Sequence, residues 1–300
     1  MSEEPSGDAE SRRSPPSEAF AALSSPLRVD ILRELSAQQR QLGDDSLGFA
    51  DLRRRVDVED SGRFRYHLKQ LQDTFVQKTD AGYRLTHAGH RVIAAILAGT
   101  FTGDQSLGPV ELDSECPECH RPAVATYEDG RCLVSCANDH TLFTWSVPPN
   151  ATASLDLPGL IDLAELLALQ AVEQALAGVC PECFDPVSSQ IRTAEAARPA
   201  FQGDCESCGA QIAGPVDLCL LVDPEVAAFC HRHGHSPQDD HVWESPFVRD
   251  DAELVVLDDD PVQIEYTLTL DGESLSGEIS ENGHITVHRT GSTEGQSDAP

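Results

Sequence analysis

A chain of 300 residues with 51 acidic and 21 basic side chains has a formal net charge of -30. That is enough length for two or three small cores, and the charge alone excludes a generally basic nucleic-acid coat. No apolar run approaches the roughly 18 residues a membrane-spanning helix needs, and the first residues lack the apolar core of a signal peptide, so a cytoplasmic protein is expected. Ten cysteines in a reducing compartment then point to metal ligation rather than disulfides.

Residues 1–16 are rich in Ser, Pro, Asp and Glu and are expected to be a disordered tail. A short helix from Glu18 to Leu23 is followed by one that starts at Pro26 behind Ser25 and runs to about Leu35, with Leu27, Ile31 and Leu35 on one face. A polar link from Gln38 to Gly48 leads to a helix over Phe49–Val56 and a turn at Asp57–Asp60. From Ser61 to Phe75, Phe64, Leu68, Leu71 and Phe75 form an apolar stripe at helical period, and Asp60 or Ser61 can cap the helix. Val76–Lys78 and Gly82–Thr86 read as a hairpin, and a helix from Ala88 to about Ala98 closes the unit.

The charge is uneven. Residues 50–95 hold nine basic and six acidic residues, a local balance of +3 inside a chain at -30. Arg63, Arg65, Tyr66, Lys69 and Gln70 lie away from the stripe on the Ser61 helix; Ser61, Lys78, Arg84 and the run Arg53, Arg54, Arg55 surround it. Helices, a helix-turn-helix, a hairpin and a last helix are the order of a winged helix over residues 17–99. That order puts the Ser61 helix in a major groove and makes these side chains DNA contacts. The segments SSPLRVDILREL, SGRFRYHLKQL and GYRLTHAG resemble the winged-helix module of ArsR-like transcriptional regulators of the halophilic-archaeal type. The acidic surface with only two lysines, Lys69 and Lys78, resembles halophilic proteins as well. The resemblance implies sequence-specific double-stranded DNA binding and a homodimer, and the apolar helix RVIAAILAG is expected to be buried either by its own domain or across a dimer interface. Metal-sensing members carry thiolates near this helix, whereas no cysteine precedes Cys116 here.

After a linker over residues 100–113, Cys116-Pro-Glu-Cys119 opens a stretch of short strands over Ala123–Tyr127, Arg131–Ser135 and Thr141–Trp145, read as a first zinc ribbon over residues 114–147. Its second ligand pair is either Cys132 with Cys136 or Cys136 with His140. Residues 132 and 136 would be about 13 Å apart in an extended strand, which favours Cys136 and His140. Residues 148–179 contain an apolar helix, Leu160–Ala177. A second ribbon with its following helix covers residues 180–240, with Cys180, Cys183, Cys205 and Cys208 as ligands of a second structural zinc ion. Cys219, in an apolar run read as a strand, and Cys230, in a helix begun by Asp223 and Pro224, are expected to be core thiols. The run Cys230-His231-Arg232-His233-Gly234-His235 lacks the glutamate of a zinc-hydrolase helix, so no enzymatic activity is expected. Residues 241–289 alternate as an antiparallel β meander, with Asp-Gly and Asn-Gly turns, and residues 290–300 form a second tail expected to be disordered.

The expectation is therefore a multi-domain α+β protein: winged helix-turn-helix, two zinc ribbons, β meander. Its function is expected to be transcription regulation. A winged helix followed by a zinc ribbon also resembles archaeal general transcription factors, which makes the transcription machinery, RNA polymerase included, the alternative partner.

Overall fold

The structure, a computed structural model, describes residues 16–42, 46–101, 105–194, 197–236, 240–247 and 252–292. The expected tails at 1–16 and 290–300 lie outside these residues except for Pro16, which begins a helix, and residues 290–292, which end a strand. The chain is α+β and divides into two compact units, one ending at Thr102 and the other beginning at Gly103. Among the described residues, no helix is long and apolar enough to cross a membrane.

In the first unit, α1 (Pro16–Leu23), α2 (Pro26–Leu42), α3 (Phe49–Arg55) and α4 (Ser61–Leu71) precede a hairpin of β1 (Val76–Lys78) and β2 (Tyr83–Leu85), and α5 (His87–Leu97) follows. Helix α2 runs well past Leu35, because Ser-Ala-Gln-Gln-Arg-Gln-Leu contains no breaker before Gly43. Helix α4 stops at Leu71 rather than Phe75. Gln72 is extended and Asp73 takes a left-handed conformation at φ 68°, yet the chain folds back so that Phe75 stays buried. The apolar stripe thus continued past the helix that carried it, since periodicity reports burial and not hydrogen bonding. Ile31, Leu32, Leu35, Leu52, Phe64, Leu68, Leu71 and Phe75 form one core. Asp60 caps α4 through bonds from the Gly62 and Arg63 amides, and Thr86 caps α5 through the Gly89 amide. Gly89 seats α5 on the loop after α4: a Cβ there would fall 2.2 Å from the Phe75 carbonyl oxygen. Part of the polar link is β-structure, because Leu47 exchanges two 2.9 Å bonds with Tyr83 and adds a rung to the hairpin.

The second unit joins three antiparallel sheets. The first orders β3 (Ser106–Glu115), β4 (Pro122–Glu128), β5 (Arg131–Cys136) and β6 (Thr141–Ser146); the second orders β7 (Ser188–Ala194), β8 (Ala197–Asp204) and β9 (Gln211–Pro215). The third is a meander of β10 (Ala252–Asp259), β11 (Val262–Leu270), β12 (Glu273–Ser280) and β13 (Ile285–Ser292). The expected linker before Cys116 is mostly strand β3, whose Gly and Pro break the alternation that would have revealed it. The meander has a fourth strand, β10, and β13 runs past Arg289. Modules read as separate pieces share one core here, because α6 (Leu157–Leu176) runs through it and touches the first two sheets. Asp156 caps α6, which starts three residues before Leu160. Two short helices follow β9: α7 (Asp217–Val222) and α8 (Pro224–Arg232). Cys219 therefore sits in a helix and not a strand, an ambiguity inherent in a five-residue apolar run.

Candidate functional sites: two cysteine clusters and a basic helix face

Each cluster is assembled from tight turns of one design. At Cys116, Cys180 and Cys205 the cysteine amide donates to the carbonyl five residues on (2.8, 2.9 and 3.0 Å), while its own carbonyl accepts the amide four residues on (2.9, 3.0 and 2.9 Å). Closing such a turn requires a left-handed residue, supplied by His120, Phe184 and Gly209 at φ 54°, 65° and 75°. The Cys136 turn is one residue shorter, with its amide bonded to the His140 carbonyl at 3.1 Å and Asp139 at φ 60°. That shorter turn brings the His140 ring, rather than a second thiol, to the cluster.

In the first cluster the ligand atoms of Cys116, Cys119, Cys136 and His140 lie within 4.8 Å of one another. Cys116 Sγ is 3.4 Å from His140 Nδ1, and Cys119 Sγ is 3.6 Å from Cys136 Sγ. The other ring nitrogen, Nε2, lies 3.5 Å from the Glu118 carboxylate. Cys132 is excluded: it is buried in β5 with its thiol directed at the Leu160 carbonyl, and burial pushes it up to about 11. In the second cluster Cys180, Cys183, Cys205 and Cys208 satisfy the same criterion, with Sγ pairs Cys180–Cys208 at 3.7 Å and Cys183–Cys205 at 3.6 Å. These separations rule out disulfides, whose sulfurs are about 2.05 Å apart. They match four ligands around one ion, since sulfurs bonded at about 2.3 Å with tetrahedral angles sit about 3.7 Å from one another. The Cys183 amide, with other donors, brings the Cys180 thiol down to about 7; burial raises Cys136, but the Asn138 and His140 amides and nearby thiols bring it to about 7 also. Both clusters can therefore hold a metal ion.

Cys219 and Cys230 are core thiols pushed up by burial to about 12 and about 11. The histidines after Cys230 disperse: His233 pairs with Asp271 at 3.1 Å and His235 with Asp240 at 3.0 Å. Sequence reasoning missed two polar pairs in this unit. Glu165, on the buried face of α6, accepts from His241 Nδ1 at 2.9 Å and the Val242 amide at 2.7 Å. Asp162 joins them in a third group within 4.8 Å, but both Glu165 oxygens are already engaged in fastening the 240–247 segment to α6. A carboxylate within an otherwise apolar helical stripe was the available signal. Asp217 is the other: it is buried at the start of α7 and held by Arg198 through Nε–Oδ2 and Nη2–Oδ1, each 2.9 Å, while Arg198 Nη2 also reaches the Phe247 carbonyl.

In the first unit, Arg63, Arg65, Tyr66, Lys69 and Gln70 are all exposed on α4, opposite the buried Phe64, Leu68 and Leu71, and Ser61 is exposed at its start. Tyr66 is 61% exposed, unusual for a ring that size. Arg65 stacks over the Phe49 ring at 5.5 Å. Lys78 is exposed on β1, and Arg84 on β2 bonds Gln77. The three arginines of α3 are more occupied: Arg53 donates to the Val58 and Glu59 carbonyls and so braces the turn before α4, Arg54 pairs with Asp51 at 2.9 Å, and Arg55 donates to Gln38 at 2.8 Å.

The chain is thus an α+β protein with two cysteine-rich clusters in its second unit that can each hold a metal ion. It belongs to the family described as Domain of unknown function (DUF7351), whose model matches residues 113–285. Residues 16–96 match a second family model, described as Domain of unknown function (DUF7347). Each match falls within one compact unit. No curated protein and no solved structure matches the chain.

Proposed function

We propose that this protein is a DNA-binding transcription regulator of the winged-helix type, acting as a homodimer and carrying two structural zinc ions. The observation that carries the reading is the outward face of α4. A capped helix presents Arg63, Arg65, Tyr66, Lys69 and Gln70 together, in the one stretch where a strongly acidic chain turns positive. Such a helix fits a major groove, where Arg bonds guanine edges and Gln bonds adenine edges. The β1–β2 hairpin, with Lys78 and Arg84, suits contacts to the phosphate backbone. Arg53 acts by holding the turn ahead of α4, which leaves Arg54 and Arg55 as the backbone contacts of α3.

Exposed apolar residues support the dimer. Phe20 on α1, Leu97 on α5 and Phe101 just beyond it are 73%, 43% and 71% exposed, and α1 and α5 both pack on α2. Three thiolates and one imidazole in one cluster, and four thiolates in the other, are donor sets that zinc favours, at separations suited to a tetrahedron. The zinc ribbons they define serve the fold, since every ligand position is filled by protein and none is open for a substrate.

The test is an electrophoretic shift assay on sites recovered by genome-wide occupancy. The paired replacement Arg63→Ala/Arg65→Ala abolishes specific binding and leaves zinc content at two ions per chain. Unchanged operator binding by that variant would overturn the assignment.

A further inference from the structure

The second unit contains a cleft of about 420 Å³ on α6, walled by β6, β9, α7 and the segment carrying Trp243. That volume lies within the range of small-molecule sites. Its walls are distinctive for this chain. Aromatic residues make up only 5% of the sequence and tryptophan occurs twice, yet both tryptophans, Trp145 and Trp243, line this one cleft together with Phe143. Trp243 has its indole N–H directed to Ser114 Oγ at 3.4 Å and its ring stacked on His241, so its orientation is set before anything binds. Trp145 and Phe143 remain half-buried, and Leu218 on α7 faces the same space with part of its side chain accessible.

Glu118, Thr141, Thr144 and the Arg198–Asp217 pair interrupt this apolar lining. Asp217 is buried, accepts one hydrogen bond from Arg198 Nη2 at Oδ1 and has Oδ2 2.9 Å from Nε, so the ion pair presents no net charge to a ligand. Arg198 is 39% exposed, and among the described residues its Nη1 has no hydrogen-bond partner, whereas Nη2 donates to both Asp217 and the Phe247 carbonyl. An anion would gain little from a neutralised pair and would face the Glu118 carboxylate, whereas a neutral acceptor atom would bond the remaining guanidinium donor. Flat rings stack on indole and phenyl walls with favourable offset or edge geometry.

We infer that this cleft is a binding site for a planar aromatic small molecule without negative charge that bears a carbonyl or ring-nitrogen acceptor, with Phe143, Trp145 and Trp243 as its ring contacts and Arg198 as its donor. The site lies wholly within the second unit and stands whether or not the first unit reads DNA.

Because both tryptophans line the cleft, intrinsic fluorescence of the full-length protein reads it directly. Two probes are titrated: flavone, a planar heteroaromatic with a carbonyl, and naphthalene, which has no acceptor. Both are expected to quench saturably. Leu218→Phe, which narrows the cleft from a partly exposed position, weakens both. Arg198→Lys, which retains the cation beside Asp217, weakens flavone about tenfold, the effect of one charge-assisted hydrogen bond, and naphthalene by less than about twofold. Circular dichroism and zinc content verify the fold of each variant; if Arg198→Lys fails that check, Leu218→Phe decides alone. Absence of saturable quenching in the wild type, as when another part of the chain fills the cleft, overturns the site. Quenching unaffected by Leu218→Phe does the same. Equal effects of a folded Arg198→Lys on the two probes overturn the assigned ligand class.

Discussion

Replacing Cys183 with Ser removes one ligand from the second cluster, and its consequence depends on how little else holds the surrounding sheet. The β7–β9 sheet contributes three large buried apolar side chains, Ile191, Phe201 and Ile212. At about 1.5–3 kcal/mol each, these supply about 5–9 kcal/mol, below the roughly 10–16 kcal/mol that a structural zinc site can contribute. The first sheet differs. It buries Leu112, Ala123, Ala125, Tyr127, Cys132 and Val134, and the Tyr127 hydroxyl donates to the Val147 carbonyl at 3.0 Å. With both clusters holding zinc as proposed, Cys183→Ser is therefore expected to lose one of two ions and to release amide protection across residues 188–215, while 122–146 stay protected. Cys119→Ser loses the other ion but retains much of the protection of its own sheet. Native mass spectrometry counts the metal and hydrogen exchange maps the protection. If zinc-deficient Cys183→Ser keeps 188–215 as protected as the wild type, the second cluster is not what holds that sheet.

Two further substitutions probe particular contacts. Gly89→Ala places a methyl carbon against the Phe75 carbonyl, and the resulting shift of α5 costs about 1–3 kcal/mol; faster exchange in His87–Leu97 is expected, and wild-type protection would contradict the close approach. Burial lowers the His241 pKa, but the Glu165 carboxylate outweighs it and holds the ring above its ordinary 6.5. That group adds stability below the unfolded value, and the contribution is lost as pH rises through the folded one. Glu165→Gln should lower the His241 midpoint by NMR and destabilise the protein more at about pH 5.5 than at about pH 8.5; an equal loss at both would discount the pair.

The features legible in the sequence were those written within a few neighbouring residues. A Cys-x-x-Cys turn closes on itself, so the ligands of the second cluster followed from spacing alone, and the length of a strand between residues 132 and 136 separated Cys132 from His140 before any coordinates. The caps Asp60 and Asp223, the stripe Phe64–Leu68–Leu71 and the turn glycines are local in the same sense. The end of α4 was not legible, because Phe75 remains buried after the backbone leaves the helix.

What only the tertiary structure decided involves partners far apart in the chain. Glu165 and His241 are separated by 76 residues and Arg198 and Asp217 by 19, and no periodicity links such pairs. The same holds for α6, whose apolar surface announced burial without saying against what; its packing merges two cysteine-bearing sheets into one core and opens the cleft where Trp145 and Trp243 meet. Local hydrogen bonding and ligand reach are set by short segments of chain, whereas a cavity exists only where surfaces from distant segments fail to close.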